Sequence, residues 1–264
     1  MQMLKALWAY RSFIFSSVSR EFHARYRESL LGGFWSVAQP LSMIVIYTVI
    51  FGQLLKPTLP GQANTPFAFS IYLCAGVMAW NLFAEMMGRL NRCFLDNGNL
   101  IKKAQFPRAC LPIIVTLSAL TNFAILLGLL LAFLALVWHW PGWPLLALIP
   151  LLALQLLFTL GLGVLLGTLN VFFRDVGQLT QVALQFWFWL TPIVYTRYSL
   201  SPTMQSVLQL NPLTALMEAY HRVLLERAWP HWGSLGPLLL LSLLLLLLSG
   251  RFFLRRVGEM VDEL

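Results

Sequence analysis

The 264-residue sequence is poor in charge: 11% of its residues are Asp, Glu, Lys or Arg. Ordinary soluble domains carry about a quarter, so that class is excluded. Cysteine is scarce too. Cys74 and Cys110 lie in apolar runs and Cys93 in a polar stretch, with no CxxC pair, so neither a disulfide framework nor a zinc site is predicted. The four histidines, His23, His139, His221 and His231, are dispersed, and none has a second ligand-type residue at i+4. No metal site is predicted. The motifs GxxxxGK(S/T), GxSxG and HExxH are all missing, so a phosphate cradle and two common hydrolytic centres are excluded.

What the chain has instead is apolar length: 59% of its residues are hydrophobic and the mean hydropathy is +0.74. A membrane crossing needs about 20 mainly apolar residues. Six stretches qualify, at about 34–55, 67–88, 110–138, 144–169, 177–196 and 234–254. The expected fold is therefore an all-α integral membrane protein with six transmembrane helices.

An even number of crossings puts both termini on one side, and basic residues choose it. Fourteen Lys and Arg lie in the N-terminal tail, the 89–108 loop, at Arg174 and after residue 250, against Lys56, Arg197, Arg222 and Arg227 on the other side. The positive-inside rule then places both termini in the cytoplasm. The net charge of +8 follows from orientation and anionic lipid, and no nucleic-acid partner is invoked.

Ahead of the first span, Leu4, Leu7, Trp8, Phe15, Val18 and Phe22 fall near one helical face, continued by Ile14 and blurred by Phe13. This is the pattern of an amphipathic helix lying in the membrane interface. The alternative is a solvated tail containing aromatics. Lys5, Arg11, Arg20 and Glu21 interrupt any signal-peptide core.

The 89–112 loop is basic, and after the turn chemistry of Asp96 to Asn99 the run LIKKAQF suits a short helix ending before Pro107. It reads either as a docking element or as positive-inside anchoring. Between spans five and six, Ser201-Pro202 and Asn211-Pro212 each set a capping residue before a proline at the first helical position. Two short extracytoplasmic helices are expected, the second with Leu213, Leu216, Tyr220, Val223 and Leu224 on one face. They would sit at the outer surface, either as a gate or re-entrant element or as an inert cap.

Within the spans, Gly161, Gly163 and Gly167 are read as small-residue helix contacts. Glu85 is the only acid in a predicted span and faces protein or water, or else snorkels beside Arg89 four residues on. Span five is the most distinctive, joining Gln178, Gln181 and Gln185 to Phe186, Trp187, Phe188, Trp189 and Tyr195. Its aromatics begin about 13 Å into the span at ~1.5 Å per residue. That depth favours a polar, aromatic-lined interior over an interfacial belt, although a lipid-facing surface is the competing reading. Helical spacing puts Gln181, Gln185 and Trp189 on one stripe.

The runs YRESLLGGFWSVAQPLSMIVIYTVIFG (26–52), LDNGNLIKKAQFPR (95–108), NVFFRDVGQLTQVALQFWFWLTPIVY (170–195) and NPLTALMEAY (211–220) resemble the permease subunit of ABC-2-type polysaccharide exporters. The O-antigen branch is the most similar, beside capsule and teichoic acid exporters. The resemblance covers nearly the whole chain and implies one transmembrane domain over 1–264: a cytoplasmic amphipathic region (1–33), spans one to five (34–196), outer gate helices (197–233), then span six and a cytoplasmic tail (234–264). No appended ATPase or sugar-binding domain is expected after span six.

The resemblance further implies a half-transporter in the bacterial inner membrane. Two copies would form the channel, and a separate ATPase would bind ATP and Mg, so this chain would hold no cofactor and would not itself be an enzyme. The cargo would be a lipid-linked glycan. Channel-lining candidates are Tyr47, Tyr72, Gln181, Gln185, Trp187 and Trp189. ATPase-coupling candidates are Trp8, Phe15, Asp96, Lys102, Lys103, Arg108, Arg174 and Asp175. An ABC-2 permease for drugs or lipids, or a non-transporting membrane scaffold, are the alternatives.

Overall fold

A computed structural model describes residues 8–26, 34–50, 59, 65, 67–102, 107–197 and 200–263. Regular structure among them is entirely helical: α1 (Arg11–Tyr26), α2 (Trp35–Val49), α3 (Ala68–Asp96), α4 (Gly98–Ile101), α5 (Cys110–Leu136), α6 (Leu148–Phe172), α7 (Asp175–Trp189), α8 (Pro202–Gln209), α9 (Pro212–Leu224), α10 (Gly236–Arg256) and α11 (Glu259–Glu263), with single 3-10 turns at Trp143–Ala147 and Trp232–Leu235. Among the described residues, four segments are long and apolar enough to cross a membrane: Ala68–Asp96, Cys110–Leu136, Trp143–Phe172 and Trp232–Arg256.

The bundle is organised around α3, which packs along α6, α5 and α9, while α10 runs along the far side of α6. A helix that is apolar on all sides is a buried helix, and residues around the whole circumference of α3 are buried. Glycines allow the close approaches. A Cβ at Gly161 would meet the Leu246 backbone nitrogen of α10 at 2.8 Å, and a Cβ at Gly163 would press into the Leu90 side chain of α3. A Cβ at Gly167 would collide with the Leu90 carbonyl oxygen. Successive residues turn by about 100°, so Gly161 faces one neighbour while Gly163 and Gly167 share the other.

Span two is longer than expected. The sequence reading ends it near residue 88 and assigns the basic residues beyond to a loop; α3 instead continues for two turns, to Asp96. Arg92 and Asp96 are exposed while Leu90, Cys93 and Phe94 are buried. Phe94 stacks on Phe253 of α10 at 5.2 Å. An amphipathic extension of this kind carries its charges on one face and needs no break at the membrane surface.

Span five is shorter than expected. α7 ends at Trp189, and residues 190–196 are irregular. Thr191 precedes Pro192, a position disfavoured in helices, and Pro192 has no N–H to donate. The Tyr72 hydroxyl fixes the irregular segment by bonding the Pro192 and Tyr195 carbonyls at 3.1 and 2.8 Å.

Both expected caps between spans five and six are formed. The Ser201 side chain accepts from the Met204 N–H at 3.5 Å, and the Asn211 side chain accepts from the Leu213 N–H at 3.0 Å. Helix α8 is largely exposed, but α9 does not lie on the outer surface. Leu213, Leu216, Met217, Tyr220, Val223 and Leu224 are all fully buried against the bundle. The Tyr220 hydroxyl donates to Gln155 Oε1 of α6 at 2.8 Å, and Gln155 Nε2 donates to the Ala79 carbonyl of α3 at 2.7 Å. Ala79 lies eleven residues into α3, or about 17 Å along its axis. Helix α9 is therefore packed within the bundle, against α3 and α6.

At the same end of the molecule, Trp138, Trp140, Trp143, Trp229 and Trp232 are exposed. Their two loops are tied by Arg227 Nη2 donating to the Trp138 carbonyl at 3.1 Å. Tryptophans gathered at one end of a bundle form an interfacial belt.

Candidate functional site

One face of α7 is packed and the other is open. Trp187 meets Phe83 edge-on at 5.2 Å, Phe188 meets Trp80 at 5.5 Å, and Thr180 and Gly177 are buried. Gln181, Gln185 and Trp189 lie together on the opposite side, with Trp189 64% exposed. Among the described residues neither glutamine side chain makes a hydrogen bond. The structure thus groups three of the channel-lining candidates and turns Trp187 away from them. Trp187 Nε1 instead donates to Asn211 Oδ1 at 2.8 Å. Asn211 Nδ2 donates back to the Leu190 carbonyl and Thr191 Oγ1 at 3.0 and 2.9 Å, so one amide locks the end of α7 to the start of α9.

The two tyrosines occupy different places. Tyr72 is buried, stacked on the His221 ring at 3.8 Å, and holds the 190–196 segment as described. Tyr47 is half-buried on the other side of α3, where it lines a small cavity with Cys74, Val77 and Leu130.

At the opposite end of the bundle, α1 lies on α5. Ile14 packs on Cys110 and Ile114, helped by Phe13 and Val18, so the face centred on Phe13 and Ile14 is the one that buries. Trp8 and Phe15 point away, 72% and 66% exposed. Leu4 and Leu7 lie outside the described residues. Glu21 joins α1 to the bundle through an ion pair with Arg89 and a 2.6 Å bond from Ser118 Oγ. Arg89 also reaches Glu85 at 3.5 Å, and Asn122 Nδ2 donates to Glu85 at 2.6 Å. Glu85 is thus a protein-facing acid.

Of the other coupling candidates, Asp96, Lys102, Arg174 and Asp175 are exposed at this same end. Arg108 spends its guanidinium on the Val257 and Ile101 carbonyls at 3.1 and 3.4 Å, which fastens the loop to the end of α10. Lys103 lies outside the described residues.

Sequence reading passed over a polar cavity of about 440 Å³ between α2, α3 and α5, where Gln39, Asn81 and Asn122 gather around Glu85. The available signal was Asn81 four residues before Glu85, one turn apart on the same face.

Comparison with known proteins covers almost the same ground. The chain is 29% identical over 265 residues to the O-antigen export system permease protein RfbA of Myxococcus xanthus, spanning 100% of this chain and 99% of that protein. It is 28% identical over 207 residues to the RfbA permease of Klebsiella pneumoniae, covering 75% and 74% of the two chains. It is 20% identical over 249 residues to the polysialic acid transport protein KpsM of Escherichia coli, covering 92% and 93%. Residues 13–225, the stretch from α1 through α9, match the ABC-2 type transporter family, and the chain belongs to that family.

Proposed function

We propose that this chain is the permease subunit of an ATP-driven exporter of a lipid-linked polysaccharide, O-antigen by class, in the bacterial inner membrane. The whole chain acts as one transmembrane domain with both termini cytoplasmic. Helices α2 and α7 complete six crossings. Two copies enclose the path, and a separate ATPase subunit supplies ATP and Mg chemistry from the side carrying α1, Asp96, Lys102, Arg174 and Asp175.

The observation that carries this reading is the open stripe on α7. An amide left without partners in hydrocarbon costs several kcal/mol, so Gln181 and Gln185 need water, protein or a polar cargo beside them. The 15 residues of α7 span only about 22 Å, short of the ~30 Å hydrocarbon thickness. Irregular backbone such as 190–196 is tolerated at membrane depth where it is buried in protein or lines a water-filled cavity. A hydroxylated polymer needs such a lining to replace its lost water, and Trp189 offers an apolar face that does not depend on register. The names of the relatives favour a glycan over a drug or free lipid.

The test is deletion of the gene and complementation with the wild-type chain, scored by surface polysaccharide and by co-purification of an ATPase. Restored surface polymer and a co-purifying ATPase are expected. Unchanged surface polymer in the deletion strain overturns the reading in favour of drug or lipid export or a scaffold.

A further inference from the structure

The belted end of the bundle holds a second polar cavity, of about 480 Å³, between the outer end of α3, the 190–197 segment, α8 and α9. Its floor is the Tyr72–His221 stack, fixed by the two bonds from the Tyr72 hydroxyl. Its wall is charged but balanced: Arg197 Nη1 lies 3.4 Å from Glu218, and Arg222 Nε lies 3.8 Å from Glu226. Arg222 also lies 2.5 Å from His231 Nε2. Gln205 spends its amide N–H on the Leu200 carbonyl at 3.0 Å and lines the cavity too.

Three properties of this wall select a class of ligand. Two arginines against two glutamates leave no net charge, so neither an anion nor a cation is favoured. Planar guanidinium, carboxylate and amide groups present donors and acceptors side by side, which matches hydroxyl groups that both donate and accept. The volume falls in the ~300–1,000 Å³ range of small-molecule sites, and the fixed floor lowers the ordering cost of binding.

We propose that this cavity binds a short, uncharged stretch of polysaccharide at the outer end of each protomer, a site separate from the α7 stripe. The site rests on the export reading and deepens it. Glu218 and Arg222 are its principal contacts, and Gln205 supplies an acceptor. A segment held here after leaving the path is one that cannot slip back, so binding at this end biases movement outward.

The full-length wild-type chain and Glu218→Gln/Arg222→Gln, in lipid nanodiscs, are titrated by microscale thermophoresis with the delipidated polysaccharide released by mild acid from the producing cells. Exposed and half-exposed ion pairs contribute little stability, so this variant folds, and equal thermal melting of the two proteins checks it. Binding by the wild type and a drop of about ten-fold or more in the variant are expected. Equal affinity in wild type and variant, or no binding by the wild type, overturns the cavity. If either occurs while the wild-type gene still restores surface polymer in the deletion strain, the export reading stands and the cavity alone falls. A wild-type gene without effect on surface polymer removes both.

Discussion

The Tyr220 hydroxyl donates a 2.8 Å hydrogen bond to Gln155 Oε1 between two fully buried side chains 65 positions apart in the chain. Gln155 hands the connection on to the Ala79 carbonyl, so α9, α6 and α3 meet at one amide. Each of these helices also leads to a candidate element. The far end of α3 carries the Arg89 and Glu85 network, α6 runs into α7, and α9 forms the wall of the outer cavity. Helix α9 is thus held by polar contact deep in the bundle as well as by its apolar face.

Tyr220→Phe leaves Gln155 Oε1 buried without its donor, at a cost of about 1–3 kcal/mol. A lower melting temperature of the detergent-purified protein is expected. Gln155→Leu combined with Tyr220→Phe replaces both partners by apolar groups and should recover most of the loss. A double variant as unstable as the sum of the singles would show that the pair does not act as a unit.

Gly167 and Gly128 provide a matched contrast. A Cβ at Gly167 meets the Leu90 backbone carbonyl, which cannot turn aside, whereas a Cβ at Gly128 meets nothing within 4 Å. Gly167→Ala should cost about 1–3 kcal/mol through overpacking and reduce the yield of monodisperse protein. Gly128→Ala should be neutral or stabilising by up to ~1 kcal/mol. Size-exclusion profiles and thermal melting of the two variants check both directions.

Much of this architecture is legible from local chemistry. Ser201-Pro202 and Asn211-Pro212 specify helix starts through side-chain oxygens and proline geometry, and both caps are formed. The leucine run of α10 needs only its length. What local reading misses is settled by distant partners. Arg89 and Arg92 suggest a loop, yet the helix continues because Leu90 and Phe94 find α6 and α10 to pack against. The depth of α9 depends on Gln155, which no pattern within α9 announces. For α7, Pro192 marks the end that hydropathy overruns. The spacing of Gln181, Gln185 and Trp189 is readable as a stripe, but the inward turn of Trp187 follows from Phe83, Phe158 and Asn211.

Orientation is checked by placing a single cysteine at each end. Ser206 on α8 and Asn99 in α4 are both exposed, and native Cys74, Cys93 and Cys110 are buried, so background labelling should be low. Ser206→Cys should react with an impermeant maleimide in intact spheroplasts, and Asn99→Cys only in inverted vesicles. The reverse pattern would place both termini outside and remove the direction of export.

The last prediction separates the two tryptophans that lie two residues apart in α7. Trp189 stands on the open face with Gln185, so Trp189→Ala and Gln185→Leu alter the surface that the path presents while leaving the packed face intact. Surface polysaccharide per assembled complex should fall by about five-fold or more in each, with the melting temperature close to that of the wild type. Trp187→Phe keeps an aromatic ring between Phe83 and Phe158 but removes the N–H bonded to Asn211 Oδ1. That acceptor still serves the Leu213 N–H, so the loss is one net hydrogen bond, about 0.5–1.5 kcal/mol. Its effect should appear as a lower melting temperature, with export per folded complex preserved. Normal export in Trp189→Ala and Gln185→Leu, with a block in Trp187→Phe at wild-type stability, would move the path to the other face of α7.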